Sequence, residues 1–185
     1  GKVTTITILR PLRLVWSSTS ILNSNNEQTL SIEGGIAGSQ YSLSQSPLNP
    51  LIFVDASDSP QSIFTASNNN QAFNAALVGI HSETVSELSQ IQVTVRTLNE
   101  SYPDEVQDLV LYPVAQHNFS VTDGNGQAIP GVTGTLSQDP LLSELNVNLL
   151  YQGDNAGQFS LNLPDIEQDF VITLTAQGFN PQTIT

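Results

Sequence analysis

Two histidines, His81 and His117, and seventeen acidic residues are the side chains of this 185-residue chain that could move a proton or hold a cation. The histidines have no motif partner nearby. No H-E-x-x-H, G-x-S-x-G or P-loop spacing occurs, so neither a zinc protease, an α/β-hydrolase nor a phosphate-binding loop is indicated. A Ser-His-Asp triad is defined by geometry rather than spacing, and a chain this rich in serine offers any histidine a neighbour by chance. Paired carboxylates could hydrolyse glycosides at separations of about 5 or 6.5–9.5 Å, but no acidic pair sits on an aromatic-lined stretch. Oxygen ligands suit calcium. The candidates for calcium are Asp55 and Asp58, spaced D-x-x-D, and the run Asp104, Glu105 and Asp108, with Glu100 close by. Asp123-x-Asn125 lacks the later glutamate of an EF-hand loop. The alternative for each of these is a solvated turn. No motif implies a cofactor, and the chain reads as non-enzymatic.

Composition supports that reading. The formal net charge is −13, and the basic residues are Lys2, Arg10, Arg13 and Arg96. Binding nucleic acid or an anionic membrane needs clustered Lys and Arg to displace counterions, so neither partner is expected. The same balance favours cationic partners. Cysteine is absent, which excludes a disulfide framework and thiol-based metal sites. No apolar run approaches the ~18 residues that a membrane-spanning helix needs, so no membrane insertion is expected. The chain begins at Gly1 without Met and carries no signal peptide, which reads as a processed chain or an excised piece of an exported protein.

The elements that must position these residues are strands. Ile91, Val93 and Val95 alternate with Gln92, Thr94 and Arg96, the period of a half-buried strand. Thr29–Glu33, Gln40–Leu43 and Leu51–Val54 are further short strands. Trp16 reads as a core anchor, since one isolated tryptophan rarely builds a stacking platform. Ser82–Ser89 is the best candidate for a short helix, with Ser82 as its cap. Strand signals recur every 8–12 residues or so, the rhythm of sandwiches rather than of βαβ units. The expectation is therefore all-β: two tandem immunoglobulin-like or transthyretin-like β-sandwich units with at most one short helix. The boundary is placed between an N-terminal domain, 1–115, and a second domain, 116–185, after the apolar run Val110–Val114.

The second unit opens with V-T-D-G-N-G-Q-A-I-P-G-V from Val121. Asp-Gly-Asn-Gly reads as a type I′ hairpin turn joining a strand at 119–122 to one at 132–136. Ser137–Glu144 reads as irregular, and Leu145–Leu149 as a strand. G-Q-F-S-L-N-L-P from Gly157 and F-V-I-T-L-T-A-Q-G-F from Phe170 are two more strands. This order resembles the carboxypeptidase regulatory-like family, whose fold is a transthyretin-like, immunoglobulin-type sandwich. The resemblance covers about the last 70 residues. It implies an accessory module on secreted or surface proteins, often in tandem, with no shared catalytic residues.

The N-terminal segment V-T-T-I-T-I-L, residues 3–9, is rich in β-branched residues and flanked by Lys2, Arg10 and Arg13. Val3, Ile6 and Ile8 are its apolar contacts. Such a strand can pair within its own domain or complete the sheet of a second copy. The function expected is that of a non-catalytic structural or adhesive module, exported to the cell surface of a bacterium or to an appendage. It would act through strand edges and loops on a protein partner or on itself. The alternative is a carbohydrate- or peptide-binding accessory domain of a larger secreted enzyme.

Overall fold

The computed structural model describes residues 12–22, 28–34, 38–47, 50–66, 75–82, 85–98 and 103–185. The expected assembly strand, with Val3, Ile6 and Ile8, lies outside these residues, as does Glu100. The chain divides into two compact units, residues 1–85 with 89–111, and residues 112–185 with 86–88.

The first unit holds β1 (Arg13–Trp16), β2 (Ser20–Leu22), β3 (Gln28–Glu33), β4 (Gln40–Ser46), β5 (Leu51–Val54), β6 (Ile63–Thr65), β7 (Ala75–Ser82), β8 (Ser89–Thr97) and β9 (Glu105–Tyr112). They form two antiparallel sheets, in the orders β1-β3-β7-β5 and β2-β9-β8-β4-β6. Alternation decides which side chains meet. Leu30 and Ile32 of β3 are buried, as are Ile91, Val93 and Val95 of β8 and Leu109 and Leu111 of β9. Full burial of each such side chain contributes about 1.5–3 kcal/mol. Tyr41 is fully buried, and its hydroxyl donates to the Gly34 carbonyl at 2.7 Å. Trp16 packs partly buried against this core.

The described residues of 82–89 do not form the expected helical turn. Ser82 ends β7, residues 85–88 are bends and coil, and Ser89 opens β8. The helix is instead α1 (Pro140–Glu144), inside the segment read as irregular. Its signal is local. Asp139 is an extended N-cap, and its carboxylate accepts from the backbone N–H of Leu141 at 2.8 Å and Leu142 at 3.4 Å. Pro140 supplies a preset φ at the first helical position, where its missing N–H costs nothing.

The second unit contains β10 (Val114–Ser120), β11 (Thr133–Leu136), α1, β12 (Leu150–Gln152), β13 (Gln158–Pro164), β14 (Ile172–Thr175) and β15 (Gln182–Ile184). β10 pairs with β13 over seven positions, from Val114 opposite Pro164 to Ser120 opposite Gln158. The other sheet runs β12-β11-β14-β15. Two expectations are corrected. The 145–149 strand is absent, because Leu145 caps α1 as a buried residue and Asn146 takes φ 54°. The strand starts at Leu150, whose backbone N–H and carbonyl are both bonded by the Asn148 side chain. The hairpin between 119–122 and 132–136 is also absent. After the turn only Thr122 and Ala128 form a bridge, and the chain then crosses to the opposite sheet.

Candidate binding groove

The sandwich of the second unit is open along one side. Odd-numbered residues of β10 point inward: Phe119 stacks on Phe159 of β13, with ring centroids 4.9 Å apart and planes 9° apart. Behind them lie Leu161 and Leu163, and across from them Leu136 and Ile172, all buried. Among the described residues nothing covers this core between β10 and β15. A cavity of about 340 Å³ enters there, lined by Ala115, His117 and Phe119 of β10, by Ile172 and Ile184, and by the 165–170 loop with Asp165, Ile166, Asp169 and Phe170. A second cavity of about 340 Å³ continues along the same side, lined by Val121, Asp123, Leu174, Phe179 and Gln182. In the first cavity the walls are β10, Ile172 and Ile184; in the second they are the continuation of β10, Leu174 and Gln182. The two therefore follow one another down one groove. Ile184 is 38% and Phe179 50% exposed, so apolar surface faces solvent at both of its ends.

The edge of β10 contributes backbone groups as well. Val121 N–H donates to the Gly157 carbonyl and Asp165 N–H to the Pro113 carbonyl. In an antiparallel ladder such bonded pairs alternate, so the backbone groups of Gln116 and Asn118 point away from β13. Among the described residues β13 is the strand paired with β10.

The acidic residues singled out in the sequence are brought into turns and strands, not into one cluster. Asp55 accepts from Ser57 N–H at 2.8 Å and Ser59 N–H at 3.1 Å, and from the Gln61 amide. Asp58 sits in the same turn at φ 60°. Asp104 is paired with Arg96, its Oδ2 2.7 Å from the guanidinium Nη2. Hydrogen bonding from Arg96, then its charge, holds the Asp104 carboxyl below the ordinary aspartate range. Asp108 accepts from the Gln92 amide at 3.1 Å. Glu105 lies on β9 with Asp108, but strand parity sends residues 105 and 108 to opposite faces. Among the described residues no three His, Asp or Glu side chains converge as a metal-binding group.

One turn recurs three times. In Asp55–Ser59, Asp123–Gln127 and Asp154–Gln158 the leading carboxylate accepts from the N–H groups two and four residues on. In each the fourth residue donates its N–H to the aspartate carbonyl, and the aspartate N–H donates to the fifth residue. That fourth residue is left-handed every time: Asp58 at φ 60°, Gly126 at 79° and Gly157 at 67°. Gly124 and Asn125 are not left-handed, so the turn at 123–126 is a type I turn followed by a bulge residue, not the expected type I′. The two backbone N–H bonds, from Gln127 and then Asn125, lower the Asp123 pKa.

Sequence reasoning missed the groove. His117 was noted as a lone histidine, and the structure places it on the groove wall. Phe179, which the sequence places at the end of the strand motif from Phe170, and Ile184 also line the groove. The available signal was their apolar character in a C-terminal stretch that is otherwise polar.

No family model matches the chain, and no curated protein matches it. Loose structural likenesses exist. The E. coli chaperone DraB overlaps 94% of this chain and 95% of its own, at 9% identity and a TM-score of 0.36. Domains 5–6 of the S-layer protein SbsC overlap 96% and 95%, at 11% identity and 0.34. The Parabacteroides merdae beta-glucuronidase overlaps 95% of this chain and 24% of its own, at 7% and 0.32. Scores this low assign neither family nor activity. The fold itself is plain from the strands: all-β, in sandwich units, with one short helix among the described residues.

Proposed function

We propose that this chain is an exported, non-catalytic structural or adhesive module that works by protein–protein association at a strand edge. The observation that supports it is the open side of the second sandwich, where the β10 edge and an apolar groove lie together. An edge strand offers a row of unpaired donors and acceptors to another strand, and an adjoining groove gives alternate side chains somewhere to bury. The absence of cysteine and the acidic surface suit an exported protein. Among the described residues no helix is long and apolar enough to cross a membrane. The division at 115/116 and the resemblance of the last 70 residues to the carboxypeptidase regulatory-like family belong to this reading, as does the N-terminal strand as the assembling element. Sugar recognition is less well supported, because it favours rings stacked on exposed faces. The stacked pair here is internal, with Phe159 8% exposed.

The test is assembly state. The intact chain should gain mass with concentration in light scattering at low salt, and a chain lacking residues 1–10 should remain monomeric. An intact chain that stays monomeric throughout rejects the reading.

A further inference from the structure

We propose that the groove between β10 and β15 is the acceptor for the N-terminal strand, residues 3–9, of a second copy of this chain. The inference rests on the assembly reading above and specifies its site.

Length is the first argument. The groove wall from Val114 to Thr122 and the segment from Lys2 to Arg10 each span eight residue steps, about 26 Å in extended backbone. Charge is the second. Asp165 and Asp169 line one end of the groove, and Asp123 lines the other. Lys2 and Arg10 stand at the two ends of the strand, and they are half of the chain's four basic residues. A strand with a cation at each end thus meets a groove with carboxylates at each end, which sets position and speeds encounter. Pattern is the third. Ile6 and Ile8 share one face of an extended strand with Thr4, and Val3, Thr5, Thr7 and Leu9 share the other, so the isoleucine face carries the two large β-branched apolar side chains at its centre. With the isoleucines turned inward they would cover Phe119 and Ile172, while the backbone bonds the outward groups of Gln116 and Asn118.

The experiment uses the full chain, whose lack of cysteine makes introduced thiols unambiguous. Ile8→Cys and Ala115→Cys chains are mixed, oxidised and mapped by mass spectrometry. A disulfide between residue 8 of one chain and 115 of another is expected. A second set of variants guards against misfolding: Asp165→Lys with Asp169→Lys should lose the assembled mass, and adding Arg10→Glu, the charge that pairing 8 with 115 brings to that end, should restore it. If the intact chain assembles but reversal leaves its mass unchanged and the disulfide does not form, the groove is not the acceptor, although the assembly reading survives. If an Ile8→Cys, Ala115→Cys double variant links within a monomer, the strand is its own domain's and the second copy is rejected. If the intact chain never assembles, both readings fall together.

Discussion

The two units bury their cores differently. Among the described residues the first has seventeen buried residues in its apolar cluster and two partly buried ones packed against it. The second has seven buried and eight partly buried, among them Phe119, Phe170 and Leu174. Sheets of four and five strands close the first, whereas the second sets a two-stranded ladder against a four-stranded sheet. Two strands cannot cover what four expose, so rings and aliphatic chains of the second core reach the surface along the groove. Among the described residues the second unit thus keeps more of its apolar side chains partly exposed than the first.

The shared turn gives the sharpest test of that contrast. At its left-handed position the first unit carries Asp58, and the second carries Gly126 and Gly157. A Cβ on Gly157 would lie 2.6 Å from the Val121 carbonyl oxygen and 2.7 Å from that of Ile129, both rigid backbone. A Cβ on Gly126 meets nothing within 4 Å. Gly157→Asp should therefore cost roughly 3–5 kcal/mol, combining left-handed strain with overpacking. Gly126→Asp should cost about 1 kcal/mol or less, since aspartate tolerates this conformation. Urea denaturation of both variants checks the ranking. Equal losses would mean that the Gly157 turn is not packed against the backbone of Val121 and Ile129 as seen.

These three turns also show how much could be read from the chain. Asp123-Gly-Asn-Gly and Gly153–Gly157 are visible as turns because glycine is the cheap left-handed residue. Asp55–Ser59 forms the same bonds without glycine, and its sequence alone leaves open a solvated turn or a pair of calcium ligands. β8 and β13 were legible because strict alternation marks a strand with one buried face. α1 was not, because five residues carry too little periodicity, although Asp139-Pro140 is a cap signature. The groove was not legible at all. It depends on β10 leaving β11 for β13, a pairing across some forty residues that local pattern cannot choose between.

Core truncation comes next in size. Leu111 is fully buried in the first unit, and Leu111→Ala should destabilise it by about 2–5 kcal/mol, the cost of lost transfer energy plus a cavity. Ile184 lines the groove at 38% exposure. Ile184→Ala should cost no more than about 0.5 kcal/mol in the monomer, as surface substitutions do. Chemical denaturation followed by Trp16 fluorescence and by far-ultraviolet dichroism reads both. A large loss from Ile184→Ala would show that the second core depends on β15 and is not open there.

The smallest effect separates two carboxylates that are depressed for different reasons. In the first unit Asp104 is held by hydrogen bonds from Arg96 and by its charge. In the second Asp123 is held by the backbone N–H groups of Gln127 and Asn125. A group whose folded pKa is lowered adds stability above its unfolded pKa and loses it as pH falls through the folded value. Both contributions are therefore present at neutral pH and fade only below the ordinary aspartate range. Salt should tell them apart. Ions screen the exposed Arg96 pair, so the Asp104 midpoint should move up toward its ordinary value in about 1 M salt, where the Debye length is about 3 Å. Backbone N–H groups carry no net charge, and the Asp123 midpoint should move less. Carboxyl NMR titrations at low and high salt measure both in one sample. Asp123→Asn should keep the turn, since its amide oxygen can accept the same two bonds, and should remove that group's share of the acid dependence. If the Asp123 midpoint follows salt as closely as that of Asp104, the turn is held by long-range charge and not by its own backbone.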